Sequence, residues 1–278
     1  GGQPLVIAVD WSEVAPDGVF VELRAVATRT GMGRGLTIYQ QVYPEKKLGN
    51  ARAERALLKT LHRWMPAGVQ VIIVTDAGFR RPWFIQVERL GWSWIGRIRA
   101  GVCVSREGTH WEQANAWFAK ATGKACRWSD CWLTRNFRFA CDMVLYRRRA
   151  VGGKRYGRTG HGSTPKARRE AKASAREPWL LAHSPQLRPL RAEEIVALYG
   201  LRMQIEENFR DSKSTQLGMG LEVSQSRSAP RLHALLLIGT LAAFLLWHIG
   251  QLAEAEGLHL RFKATNRVAR ELSIITLA

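Results

Sequence analysis

The chain has 278 residues, of which 46% are hydrophobic, so global disorder is excluded and one large domain, or a core carrying an insertion, is within reach. Lys and Arg number 42 against 23 Asp and Glu, a net charge of +19. That excess repels itself unless a polyanion offsets it, which makes nucleic acid the first candidate partner and an anionic membrane surface the second.

In chain order, Leu5 to Val9 (LVIAV) is a short apolar run delivering Asp10. Residues 19–29 and 36–43 read as two further strands, with the turn signal GMGRG between them, and the three together read as an antiparallel meander. Asn50 can cap a helix running to Met65 and stopped by Pro66, with Leu57, Leu58, Leu61, Trp64 and Met65 at helical spacing. VQVIIVT (69–75) is a buried-strand run delivering Asp76, followed by a short helix from about Pro82 to Leu90 and a strand over 92–99. Two central strands thus each present an aspartate at the carboxyl end, where open α/β sheets build their sites.

Residues 100–146 change character: Trp111, Trp117, Trp128 and Trp132 are spread through short alternating segments, read as a mostly β insertion. Residues 147–178 hold 11 Lys and Arg against Glu170 and Glu177, with much Gly, Ser and Pro, and read as a solvated, mobile basic loop able to order on phosphates. The four cysteines, 103, 126, 131 and 141, form no CxxC pair and no Cys/His zinc spacing, and read as reduced thiols. The chain opens on Gly1-Gly2 with no signal peptide in view, which reads as a cut-out fragment or tag remnant in a cytoplasmic protein. The apolar run LLLIGTLAAFLLW (235–247) is short for a membrane span and reads as a buried core helix.

The segment 193–213 reads as one helix. With Tyr199 at zero on a wheel, Arg202, Glu206 and Lys213 fall at about 300°, 340° and 320°, whereas Glu207 falls near 80° and Asp211 near 120°. Leu198, Leu201, Ile205 and Phe209 form the neighbouring apolar stripe, which can pack on a sheet. An ordinary Arg202–Glu206 ion pair on an amphipathic helix accounts for this pattern by itself. The two strand-end aspartates add a second account. Three carboxylates from two strands and a helix suit hard divalent cations, and Mg²⁺ completes its shell with water and phosphate oxygens.

The spacing Tyr199-x2-Arg202-x3-Glu206-x6-Lys213 resembles the Y-R-E-K signature of the insertion-sequence-four family of cut-and-paste DDE transposases. The phrases VDWS (9–12), TDAGFRRPWF (75–84) and MQIEENFRDSKS (203–214) are most similar to its insertion-sequence-ten branch. The resemblance runs from about Leu5 to Ala269. It implies an α/β fold, a ribonuclease-H-like mixed sheet flanked by helices. The core would span 1–99 and 191–278, with a β-rich insertion at 100–190 before the glutamate helix. It implies a catalytic, metal-binding triad of Asp10, Asp76 and Glu206 and two Mg²⁺ ions with DNA bound, Mn²⁺ substituting. It also implies phosphate contacts from Tyr199, Arg202 and Lys213, and stacking of Trp179 on a base flipped out during hairpin formation. The implied partners are double-stranded DNA bearing terminal inverted repeats, target DNA and a second protomer on that DNA, in a prokaryotic nucleoid. Against the family pattern, the amino-terminal DNA-binding region reads as missing and the carboxy-terminal segment as cut or lost, which bears on the expectation of end recognition and pairing. Three rival expectations stand beside this one: a transposase-derived DNA-binding module without catalysis, a membrane-surface protein, for which no amphipathic anchor is visible, and a related nuclease with the same core.

Overall fold

In the computed structural model, which describes residues 3–14, 18–148, 177–216, 218–262, 264 and 271–278, the run LVIAV becomes the first half of strand β1 (Leu5–Glu13). Val6 to Val9 are buried on both sides of the sheet, as a central strand requires. β2 (Phe20–Thr28) pairs antiparallel with β1, and β3 (Leu36–Pro44) pairs antiparallel with β2. Asn50 caps α1 (Ala51–Trp64) by accepting from the backbone N–H groups of Arg52 and Ala53 at 3.0 and 3.2 Å. α1 then carries the chain to β4 (Val71–Thr75), every residue of which is buried and which lies parallel to β1. The basic tract expected at 147–178 falls almost wholly outside the described residues.

Two compact units divide the chain: 1–94 with 198–278, and 95–197. The first has the strand order β3-β2-β1-β4, and α2 (Arg81–Arg89) belongs to it. β5 (Ser93–Ile98) carries the chain into the second unit, whose strand order is β5-β10-β9-β8-β6-β7. Its further strands are β6 (Cys103–Arg106), β7 (Glu112–Gln113), β8 (Cys126–Leu133), β9 (Phe139–Tyr146) and β10 (Trp179–His183), with the one-turn helix α3 (Asn115–Phe118) between β7 and β8. Its core is apolar and antiparallel, with Val104, Met143, Val144, Leu180 and Leu181 buried and Trp117 set edge-on to Trp128 at 4.9 Å between ring centroids. The fold is mixed α/β with mostly antiparallel strands.

Two helical expectations need correction. The segment 193–213 is two helices, α4 (Ala192–Gly200) and α5 (Met203–Lys213). Between them the backbone tightens: Arg202 N–H donates to Tyr199 O at 3.0 Å and Gln204 N–H to Leu201 O at 3.0 Å, both spanning three residues. Arg202 therefore stands at the entrance to α5, not on a continuous wheel with Tyr199. The second correction concerns the run 235–247. It lies within α6 (Ala229–Ala255), a helix of 27 residues buried along one face only, at Leu232, Leu236, Gly239, Gly250 and Ala253. A short helix, α7 (Ile274–Leu277), follows.

α5 is clamped to the sheet by complementary chemistry. Ile205 and Phe209 pack with Ala8 and Val26, the burial of Ile205, Phe209 and Val26 being worth about 1.5–3 kcal/mol each. Gln204 Nε2 donates to Arg29 O at 2.7 Å, and Asn208 Nδ2 to Gly35 O at 2.9 Å. Arg34 Nε donates to Asp211 at 2.6 Å, and Arg34 also pairs with Glu207 at 3.5 Å. Glu207 and Asp211, which the wheel sets apart from Glu206, thus fasten the helix to the β2–β3 end.

Candidate active site

The parallel ladder between β1 and β4 ends at the pair Val9 and Thr75. Asp10, the next residue of β1, and Asp76, the first residue after β4, follow that pair, so backbone register sets the two aspartates side by side where the β1–β4 ladder ends. β1 itself continues to Glu13 against β2, and Asp10 is therefore within a strand rather than at its tip. Asp76 is held by its own turn: its Oδ1 accepts from Gly78 N–H at 2.8 Å. A β-carbon on Gly78 would come within 3.0 Å of that oxygen, so this turn favours glycine at the last position of TDAG.

Glu206, in the first turn of α5, is joined to Asp10 through Arg202. The guanidinium Nη1 donates to Asp10 Oδ2 at 3.2 Å, and Nη2 donates to Glu206 Oε1. Burial alone would depress the Arg202 pKa, but Tyr199, Glu206 and Asp10 outweigh it and keep the group charged. Burial, and next the charge of Asp76, push the Asp10 carboxyl up to about 7 from an ordinary 3.8. Arg202 and the Trp11 N–H, at 2.8 Å, pull it down, and Glu206 pushes it up again. Asp10 therefore feels the charge of both Asp76 and Glu206, which places each of them in its neighbourhood.

They do not stand as a ready-made ligand set. Among the described residues no group of three or more His, Cys, Asp and Glu is close enough to hold a metal ion. The positive charge between Asp10 and Glu206 is the Arg202 guanidinium. The donor set nonetheless fits a hard divalent cation in kind: three carboxylates, one of them raised by burial and then by its like-charged neighbours, both of which a cation would offset.

The remaining expected site residues divide. Lys213 Nζ donates to Ser12 Oγ at 2.7 Å and lies over the Phe209 ring, so it ties the end of α5 to β1 beside Asp10. Tyr199 is buried, with the Arg202 guanidinium carbon 5.9 Å from its ring centroid. Trp179 belongs to the second unit, where it opens β10, pairs with Tyr146 across the ladder and lies 6.3 Å from that ring.

Sequence reasoning gave no role to Trp11 or Glu54. Trp11 Nε1 donates to Glu54 Oε1 at 3.1 Å, and its ring lies 5.6 Å from that of Tyr43. Burial pushes the Glu54 pKa up, and the Trp11 hydrogen bond partly offsets this. The signal was present: Glu54 precedes Leu57, Leu58 and Leu61 at helical spacing, so it lies on the buried stripe of α1, where a carboxylate needs a partner.

A family model described as a transposase DDE domain matches residues 24–245, a span that includes Asp76 and Glu206 but starts after Asp10. No curated protein matches. Two solved structures of Argonaute from Aquifex aeolicus are similar at 12% and 13% identity, with TM-scores of 0.34 and 0.31. They cover 85% and 84% of this chain, which spans 29% of theirs, and at that likeness they carry no argument.

Proposed function

Because the chain belongs to the transposase DDE domain family, we propose that it is the ribonuclease-H-like catalytic core of a prokaryotic, insertion-sequence-four-type cut-and-paste transposase acting on DNA in the cytoplasm. The observation that supports this best is the convergence at Asp10. The β1–β4 register brings Asp76 beside it, and Arg202 links it to Glu206. In this reading Asp10, Asp76 and Glu206 would hold Mg²⁺ or Mn²⁺. Such ions, when bound, activate an attacking oxygen and stabilise the leaving one in an in-line displacement at phosphorus.

The chain's own residues account for the rest. Arg202 neutralises Asp10 and Glu206 while no phosphate is present, and its guanidinium can turn to a phosphate when DNA arrives. Lys213, held against Ser12, sets a second positive charge beside the strand that carries Asp10. Both would orient the DNA backbone without reading its sequence. The net charge of +19 draws the polyanion to the protein. Trp179 would stack on a flipped base. The reaction sequence is nicking at a transposon end, attack of the freed 3′-hydroxyl on the opposite strand to form a hairpin, opening of the hairpin by water, and attack on target DNA.

A second reading, a transposase-derived DNA-binding module without catalysis, draws on the missing ligand cluster among the described residues. Incubating the chain with end-containing DNA and Mg²⁺ or Mn²⁺ separates the two. Hairpin products that disappear in Asp10→Ala, Asp76→Ala and Glu206→Ala while DNA binding persists support catalysis. Binding with no cleavage by the intact chain supports the module.

A further inference from the structure

α6 presents two apolar faces. One is packed: Leu232 and Leu236 join Val14, Val42 and Leu221 in a buried cluster, and Thr240 Oγ1 donates to Gln40 Oε1 at 3.0 Å. Gly250 has no room for a β-carbon against the Ile274 carbonyl, and one on Gly239 would displace the Met219 side chain. These close approaches fix the helix in rotation, so the opposite face is a defined surface.

On that face Ala234, Ile238, Leu241, Leu245, His248 and Leu252 are all exposed. Exposure reaches 63% at Ile238, 55% at Leu241, 62% at Leu245 and 68% at Leu252. Their spacing alternates four and three residues, the repeat that keeps one seam of a helix facing another helix. The flanking Leu237, Phe244 and Ile249 are exposed as well, and none carries charge. A mixed polar face would need no partner; a seam of this length and regularity does.

The ends of the helix say which partner. Arg231 is exposed near the amino end, and Glu256 is exposed just past the carboxyl end. An antiparallel second copy puts Arg231 of each chain beside Glu256 of the other, twice by symmetry. A parallel copy would set Arg231 against Arg231. At 1.5 Å per residue the helix is about 40 Å long, and half of its surface offers on the order of 600 Å² per copy, the lower end for a specific interface. The helix is also long and apolar enough to cross a membrane by length and composition, yet its glycine-bearing face is already committed to this chain's own fold.

We propose that the outer face of α6 is a self-association surface, on which two copies of this chain pair antiparallel through the Ile238–Leu252 seam. The inference is independent of the catalytic reading. Sedimentation velocity of the 278-residue chain, with far-UV circular dichroism as the check on folding, tests it. The expected result is a concentration-dependent dimer. Leu245→Glu, at an exposed position, raises its dissociation constant at least about a hundredfold. Arg231→Glu raises it about tenfold, and Arg231→Glu with Glu256→Arg restores it. A monomer at all concentrations up to about 100 µM overturns the proposal, as does a dimer indifferent to Leu245→Glu. So does failure of the double charge exchange to restore pairing, or flotation of the chain with phosphatidylserine vesicles that Leu245→Glu abolishes.

Discussion

Asp10 in the first unit and Asp142 in the second are both carboxylates beside an arginine, and they differ in how completely they are satisfied. Asp142 accepts from Arg188 Nε at 2.7 Å, from Arg188 Nη2 at 2.9 Å and from the Asp130 N–H at 3.0 Å. Burial would raise its pKa, but those bonds and the Arg188 charge outweigh burial and hold it below 3.8. Asp10 has one short backbone bond and a 3.2 Å contact from an arginine whose other arm serves Glu206, and it faces two further carboxylates. One carboxylate is closed off by its donors. The other is only partly compensated, which is what the proposed cation-binding role requires.

The largest expected effect separates the two by activity. Asp10→Asn, Asp76→Asn and Glu206→Gln should each cut DNA cleavage at least about a thousandfold. Asp142→Asn should leave the rate per folded molecule unchanged. A cleavage assay normalised to folded protein reads both, and an Asp142 variant as dead as the Asp10 variant would erase the distinction.

Stability reverses the ranking. Asp142→Asn turns an acceptor into a donor against Arg188 and should cost about 2–3 kcal/mol in urea denaturation. The sign with pH follows from the lowered value. The Asp142 contribution is complete above 3.8 and fades as pH falls below it, so Asp142→Asn should flatten that acid limb. Asp10 has the opposite sign. With a folded value of about 7 against 3.8 unfolded, the folded state holds the proton more tightly, so stability declines as pH rises between those values. Asp10→Asn should therefore stabilise the metal-free protein by on the order of 1–3 kcal/mol at pH 8, with the gain vanishing toward pH 4. Thermal melts at the two pH values, without divalent ions, check this smallest effect; a gain independent of pH would show that the fold does not raise the Asp10 pKa.

What the sequence made legible follows the same physics. Apolar runs long enough to be buried on both faces, such as LVIAV and VIIVT, located β1, β4 and the two aspartates they carry. The break at Leu201-Arg202 was not legible. Both residues favour helix, and the turn tightens where Arg202 reaches Asp10, a contact spanning 192 positions. α6 misled for a related reason. A helix apolar on every side reads as core, and composition does not tell which half finds a partner within the chain. Trp11 and Glu54 went unassigned because their bond joins β1 to α1 across 43 positions, although the buried stripe of α1 marked Glu54 as needing a donor.

The central claim is that Asp10, Asp76 and Glu206 share divalent ions once Arg202 is drawn off. Anomalous diffraction from crystals of the chain with a short DNA end and Mn²⁺ tests it most directly. The account predicts a manganese peak about 2.0–2.3 Å from carboxylate oxygens of both Asp10 and Asp76, with the Arg202 guanidinium moved from Asp10 onto phosphate. DNA bound, Arg202 still bridging Asp10 and Glu206, and no peak among the three carboxylates would contradict it.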